Sequence, residues 1–181
     1  SVNIFGAWGI DKSKIVVLGG FKIIKNICGN VHLGNMSIRP PISRKGLHGV
    51  MGLSSFTLEN VVLKGNGGDH LDYKHGVFVD GAANHSIVAR CKNVQVSQFG
   101  GSGMFASNGA TIILSGTETK VNENLCYCSS YTCYNAGLNV DFRNSTIQLC
   151  TPLKKEVICV NNGKDRNWKK RCGRIGEDYV E

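Results

Sequence analysis

Four side chains able to move protons fall within one Gly-rich stretch, GNGGDHLDYKHG (65–76). They are Asp69, His70, Asp72 and His75, with Asp80 one short apolar run further on. Two carboxyl groups flanking a groove can cleave a glycosidic bond, one as acid and the other as base or nucleophile. Asp69, Asp72 and His75 are therefore the catalytic set if the chain is an enzyme. Asp is also a favoured turn residue, because its carboxylate bonds the backbone two residues on. On a Gly-rich corner the turn reading has the greater weight, so the leading expectation is that no catalytic set is present.

A second cluster, CYCSSYTC (126–133), places Cys126, Cys128 and Cys133 together. It lacks the paired C-x2-C spacing of a good zinc site. Free thiols come first, a disulfide second and a metal site third. Cys28, Cys91, Cys150 and Cys159 sit at or beside apolar runs and read as small buried residues. The third cluster is basic: KDRNWKKRCGR (164–174) holds six Lys or Arg. Lys164, Arg166, Trp168, Lys169, Lys170 and Arg171 are the candidate binding residues there. A net charge of +8 favours anionic partners such as acidic glycans or acidic protein surfaces. Such a run is more often a docking arm than a nucleic-acid site, so nucleic acid is disfavoured. No Walker A, Gly-x-Ser-x-Gly or His-Glu-x-x-His motif occurs, and no cofactor is implied.

What must position these groups is a repeat. Gly20, Gly49, Gly76, Gly103 and Gly137 each precede a short apolar run, at spacings of 29, 27, 27 and 34 residues. Each unit holds three such runs, the third following an Asn or a Lys. Strands this short, with Gly, Asn and Asp corners, fit coils of a parallel β-helix, each strand about 4.8 Å from its counterpart in the next coil. Alternate residues then point inward. Phe21, Val50, Val77, Met104 and Leu138 form one inward column. Ile23, Gly52, Val79, Ala106 and Val140 form a second, and Met36, Val61, Val94, Val121 and Val157 a third. The expected fold is all-β: a right-handed parallel β-helix of about five to six coils over 1–168, with a basic tail at 169–181. An antiparallel sandwich is disfavoured, because no matched two-residue hairpin turn appears.

In this frame residues 1–19 make a partial first coil, with Trp8 and Phe5 as cap residues. Residues 39–48, 65–73 and 126–135 protrude as loops. His48 and His75 share one repeat position, which makes a corner role the simpler account of both. The 181 residues suffice for one cored domain. Glycine is abundant (23), fitting tight corners at positive φ. No apolar run is long enough to cross a membrane as a helix. Ser1 is not a natural start and leaves room for a leader.

The stretch CKNVQVSQFGGSGMFASNGATIILSGTETKVNEN (91–124) and the phrase LKKEVICVNNGKDRNW (153–168) resemble the right-handed β-helix repeat proteins of large DNA viruses of algae and protists. The resemblance covers roughly residues 50–168 and lies within the pectin-lyase-like superfold. It implies a structural or surface-binding element, located in the virion if the chain is viral. Its partners would be other structural proteins of the assembly, with a homotrimeric fibre as a further reading. No catalytic residues carry over. The departure is at Trp168, followed here by Lys-Lys-Arg-Cys where that family has a Gly/Asp-rich end. Pectin-hydrolysing β-helices carry Asn-Thr-Asp, Asp-Asp, Gly-His-Gly and Arg-Ile-Lys on neighbouring coils. This chain has none of the four. A polysaccharide hydrolase or lyase using Asp69, Asp72 and His75 is thus the second reading.

Overall fold

Alternating apolar residues after each glycine form strands, because one face of each can be buried against the strand opposite. A computed structural model describes residues 1–27, 29–41, 48–67, 75–81, 86–124, 135–163, 166–170 and 173–179. The strands are β1 (Val2–Phe5), β2 (Val16–Leu18), β3 (Phe21–Ile23), β4 (Val31–Arg39), β5 (Val50–Gly52), β6 (Phe56–Lys64), β7 (Val77–Asp80) and β8 (Val88–Lys92). They continue as β9 (Gln95–Ser97), β10 (Met104–Ser107), β11 (Thr111–Ser115), β12 (Lys120–Asn122), β13 (Leu138–Val140) and β14 (Thr146–Cys150). A single helical turn, α1 (Lys155–Ile158), precedes β15 (Trp168–Lys170) and β16 (Arg174–Tyr179).

One sheet runs β3-β5-β7-β10-β13-β15. The other runs β1-β4-β6-β8-β11-β14-β16, with β2 on β4 and β9 between β6 and β12. Each strand pairs in parallel with its counterpart one circuit later, as in Val50↔Val77 and Met104↔Val77. That is a parallel β-helix, and the repeat read from glycine spacing is its coil.

The first two inward columns stand as the spacing predicts. Val50, Val77, Met104 and Leu138 are buried in register. Ile23, Gly52, Val79, Ala106 and Val140 lie in register beside them. The third column departs from expectation twice. Val121 pairs with Val96, and Val96 with Leu63, so it stacks two residues away from Val94. Val157 lies on α1 and is 72% exposed, while Ile158 and Cys159 are buried in its place. Pro152 has no N–H to give a ladder here. The turn closes instead by Val157 and Ile158 N–H donating to the Lys154 carbonyl.

The ladder also runs past residue 168, where the sequence reading places a tail. Leu138↔Trp168 and Val140↔Lys170 pair in one sheet, and Thr146↔Arg174 and Ile147↔Ile175 in the other.

The repeat glycines owe their place to close packing. None of Gly20, Gly49, Gly76, Gly103 and Gly137 has positive φ. A Cβ on Gly76 would stand 2.6 Å from the Gly103 carbonyl oxygen and 2.2 Å from Val96. The left-handed corners fall largely to asparagine instead: Asn26, Asn35, Asn60, Asn93, Asn108, Asn144 and Asn161. Asn tolerates that conformation because its short side chain bonds locally.

Candidate functional sites at two corners

His48 and His75 stack one coil apart, with ring centroids 5.2 Å apart and planes inclined by 3°. The backbone N–H of His75 donates to His48 Nδ1 (3.1 Å), and that of Ser102 donates to His75 Nδ1 (2.8 Å). The next coil continues the pattern with a hydroxyl: Ala136 N–H donates to Ser102 Oγ (3.3 Å). An Nδ1 that accepts leaves the proton on Nε2. Phe78 and Phe105 enclose the pair, at 5.1 Å from His48 and 5.0 Å from His75. Burial pushes the His75 pKa down to about 3, helped by neighbouring His48, and that of His48 to about 4. His75 is therefore a neutral corner acceptor at ordinary pH, poorly placed to exchange protons with a substrate. Its proposed carboxylate partners, Asp69 and Asp72, lie outside the described residues.

On the outer face of the second sheet one carboxylate stands between a lysine and a histidine. Glu59 is 3.1 Å from Lys92 Nζ and 3.5 Å from His32 Nε2. Among the described residues no group of three or more His, Cys, Asp or Glu could hold a metal. Cys126, Cys128 and Cys133 lie outside them, as does Cys28. Cys91, Cys150 and Cys159 are buried thiols. Burial raises the Cys91 pKa to about 12, too high for a reactive thiolate.

Of the basic cluster, Lys164 and Arg171 are likewise outside the described residues. Trp168, Lys169 and Lys170 form exposed β15 on the last edge of its sheet. Trp168 carries Lys155 Nζ 5.6 Å from its ring centre, and that ammonium lies 2.9 Å from both Glu156 and Glu177. Two carboxylates thus temper the positive charge beside the tryptophan. Arg166 is tied into the coil by its backbone: its N–H donates to Asn162, and its carbonyl accepts from Gly137.

The other developed corner is the asparagine ladder. Asn60 Nδ2 donates to Asn35 Oδ1 (3.1 Å), and Asn93 Nδ2 to Asn60 Oδ1 (3.2 Å). Asn93 Oδ1 accepts the Glu118 backbone N–H (3.2 Å). Every amide donates the same way, so Asn35 Nδ2 is the terminal donor, and it has no acceptor among the described residues. In the first coil the ladder position is Gly6, where a Cβ would sit 2.0 Å from the Asn35 carbonyl oxygen. The chain beyond Gly6 forms a strap along this corner. Ser37 Oγ donates to the Lys12 carbonyl (2.9 Å), and Lys12 Nζ reaches Glu118 (2.8 Å). Strap and ladder flank an open groove of about 450 Å³, lined by Trp8, Ile10, Asp11, Asn35, Asn60 and Glu118 among others. Trp8, expected to cap the core, is 87% exposed instead. Phe5 does not cap the core either: it is 42% exposed and faces outward, edge-on to His32 at 4.6 Å and across Gly34.

Sequence reasoning identified Asn35, Asn60 and Asn93 as equivalent corners but missed this groove. Its walls come from residues 7–12, which stand outside the repeat. Comparison with protein-family models, with curated proteins and with solved structures finds no match.

Proposed function

We propose that this chain is a non-enzymatic structural and interaction module, a capsid-associated element of a virion that docks other structural proteins and glycans. The observation that carries the reading is the end of the stack at the first coil. There β1, β2 and β3 are edge strands. Val2, Ile4, Leu18 and Ile24 lie exposed on or beside them. Open strand edges with apolar side chains are templates for another chain. The neutral, walled-in His75 further supports a scaffold over a catalyst.

The test is capture from the native assembly. A photocrosslinking residue at position 18 should trap a neighbouring structural protein, and the double substitution Leu18→Lys, Ile24→Lys should cut its recovery at least tenfold. Undiminished recovery counts against the docking end. A depolymerase assay addresses the enzyme reading. Polysaccharide cleavage that collapses in Asp69→Asn, Asp72→Asn would replace the module by a hydrolase or lyase.

A further inference from the structure

We infer that the groove between the strap and the asparagine ladder is a binding site for a neutral saccharide. The inference deepens the interaction-module reading and rests on it only in taking the loops of this β-helix as binding elements. Three features of the groove converge.

The first is an unspent donor. The ladder satisfies each amide from the next coil and stops at Asn35, because Gly6 offers no side chain. Asn35 lines the groove, and its Nδ2 is a donor with no acceptor among the described residues. Its counterpart is Asp11. The Ser13 hydroxyl and backbone N–H hold the Asp11 carboxyl below the usual carboxylate range, so it is ionised and acts only as an acceptor. One Asp11 oxygen already accepts Ser13 N–H at 2.7 Å. A carboxylate offers about four lone-pair positions, so Asp11 keeps capacity for an incoming hydroxyl beside its bonds from Ser13. A donor and an acceptor across one groove suit a sugar hydroxyl, which both gives and takes a hydrogen bond.

The second feature is the platform. Trp8 exposes 87% of its surface at the groove wall. An indole offers a flat apolar face with one polar edge. A pyranose ring presents a matching face of C–H groups, and its hydroxyls point outward to the amide and carboxylate. The groove volume, about 450 Å³, lies in the range usual for small-molecule sites.

The third feature is charge. The whole chain is +8, yet this groove is not basic. Its one lysine, Lys12, is neutralised by Glu118 at 2.8 Å, and Asp11 adds a negative charge. A phosphate or uronate would meet two carboxylates there, and the general preference of the chain for anions does not extend to this corner.

Calorimetric titration of the full chain with maltohexaose, cellohexaose and mannohexaose, and with hexagalacturonate as the acidic control, tests the assignment. At least one neutral oligosaccharide should bind saturably at millimolar concentration or below. Trp8→Ala should weaken it about tenfold or more. Asn35→Asp keeps the Oδ1 acceptor for Asn60 and replaces the donor with a charged acceptor, so a loss of about fivefold or more is expected. Far-UV circular dichroism and melting curves identify any variant that fails to fold. Saturable binding that survives both substitutions overturns the site. So does preference for the uronate, or no saturable heat from any neutral oligosaccharide. If the saccharide arm fails while Leu18→Lys, Ile24→Lys still loses the assembly partner, the saccharide site falls and the interaction module stands.

Discussion

Burial fixes the charge state of His75, and with it a pH dependence of the whole fold. In an unfolded chain a histidine titrates near 6.5. In the coil His75 titrates at about 3 and His48 at about 4, chiefly through desolvation. Above pH 6.5 both rings are neutral in either state and cost nothing. As pH falls below 6.5 the unfolded chain takes up protons that the folded chain refuses, so stability declines, and the decline levels off near the folded values. The melting temperature should therefore fall between pH 7 and pH 4. His75→Asn keeps an acceptor for the Ser102 N–H and removes one titrating ring, so the fall should shrink. At pH 7 the same variant should lose about 1–3 kcal/mol from packing against Phe78 and Phe105. Thermal unfolding across pH, wild type against variant, checks both; an unaltered pH slope would refute the account. The shared repeat position of His48 and His75 was legible in the spacing alone. That each ring accepts from the next coil was not, because the following coil uses Ser102, a residue with no resemblance to histidine beyond its lone pairs.

Among the elements, the corners carry as much information as the strands. Asn60 holds φ at 55° and both gives and takes a ladder bond. Asn60→Ala forfeits both bonds and leaves a Cβ residue in the left-handed region. The expected loss is about 3–4 kcal/mol, from roughly 1 kcal/mol for each of the two hydrogen bonds and 1–2 for the conformation. Asn60→Gly loses the bonds but keeps the conformation and should be the milder change. Denaturant titration gives the order, and a milder Asn60→Ala would refute the ladder argument. Gly52 makes a related point. Repeat logic suggests Val there, since Val79 and Val140 share its column. Yet a Cβ on Gly52 would stand 2.2 Å from the ring of Phe56, which fills the space from the adjoining strand. Gly52→Val should destabilise despite matching the column. Register was readable because glycine recurs at close-packed turns. The helical turn at Lys155–Ile158 was not, because KEVICV carries the apolar pattern of a strand and only its hydrogen bonds decide otherwise.

At the scale of the molecule the two ends differ, and the difference predicts behaviour in solution. The last edge of the first sheet is β15, Trp-Lys-Lys, and β16 of the other sheet begins at Arg174. Lysine on an edge strand discourages further pairing. The opposite end offers β1 and β3 with apolar neighbours, and Leu18 there is 80% exposed. Repeats stacked in one dimension need a polar outer coil to stay soluble, and β1–β3 at this end are not polar: Val2, Ile4, Leu18 and Ile24 are exposed on or beside them. It lay beyond sequence reasoning because residues 1–19 fall outside the repeat, so no column shows which of their apolar side chains stay uncovered. Without its partner the purified chain should self-associate through the first coil. Multi-angle light scattering near 100 µM should give a mass that rises with concentration. Leu18→Lys, Ile24→Lys should return it to the monomer, because charge on an edge opposes pairing at little cost to a side chain already in water. Lys169→Ala, Lys170→Ala, at the opposite end, should leave the association of the first-coil end in place. A wild-type chain that stays monomeric across that range would remove both the trimeric-fibre reading and the claim that this end seeks a partner strand.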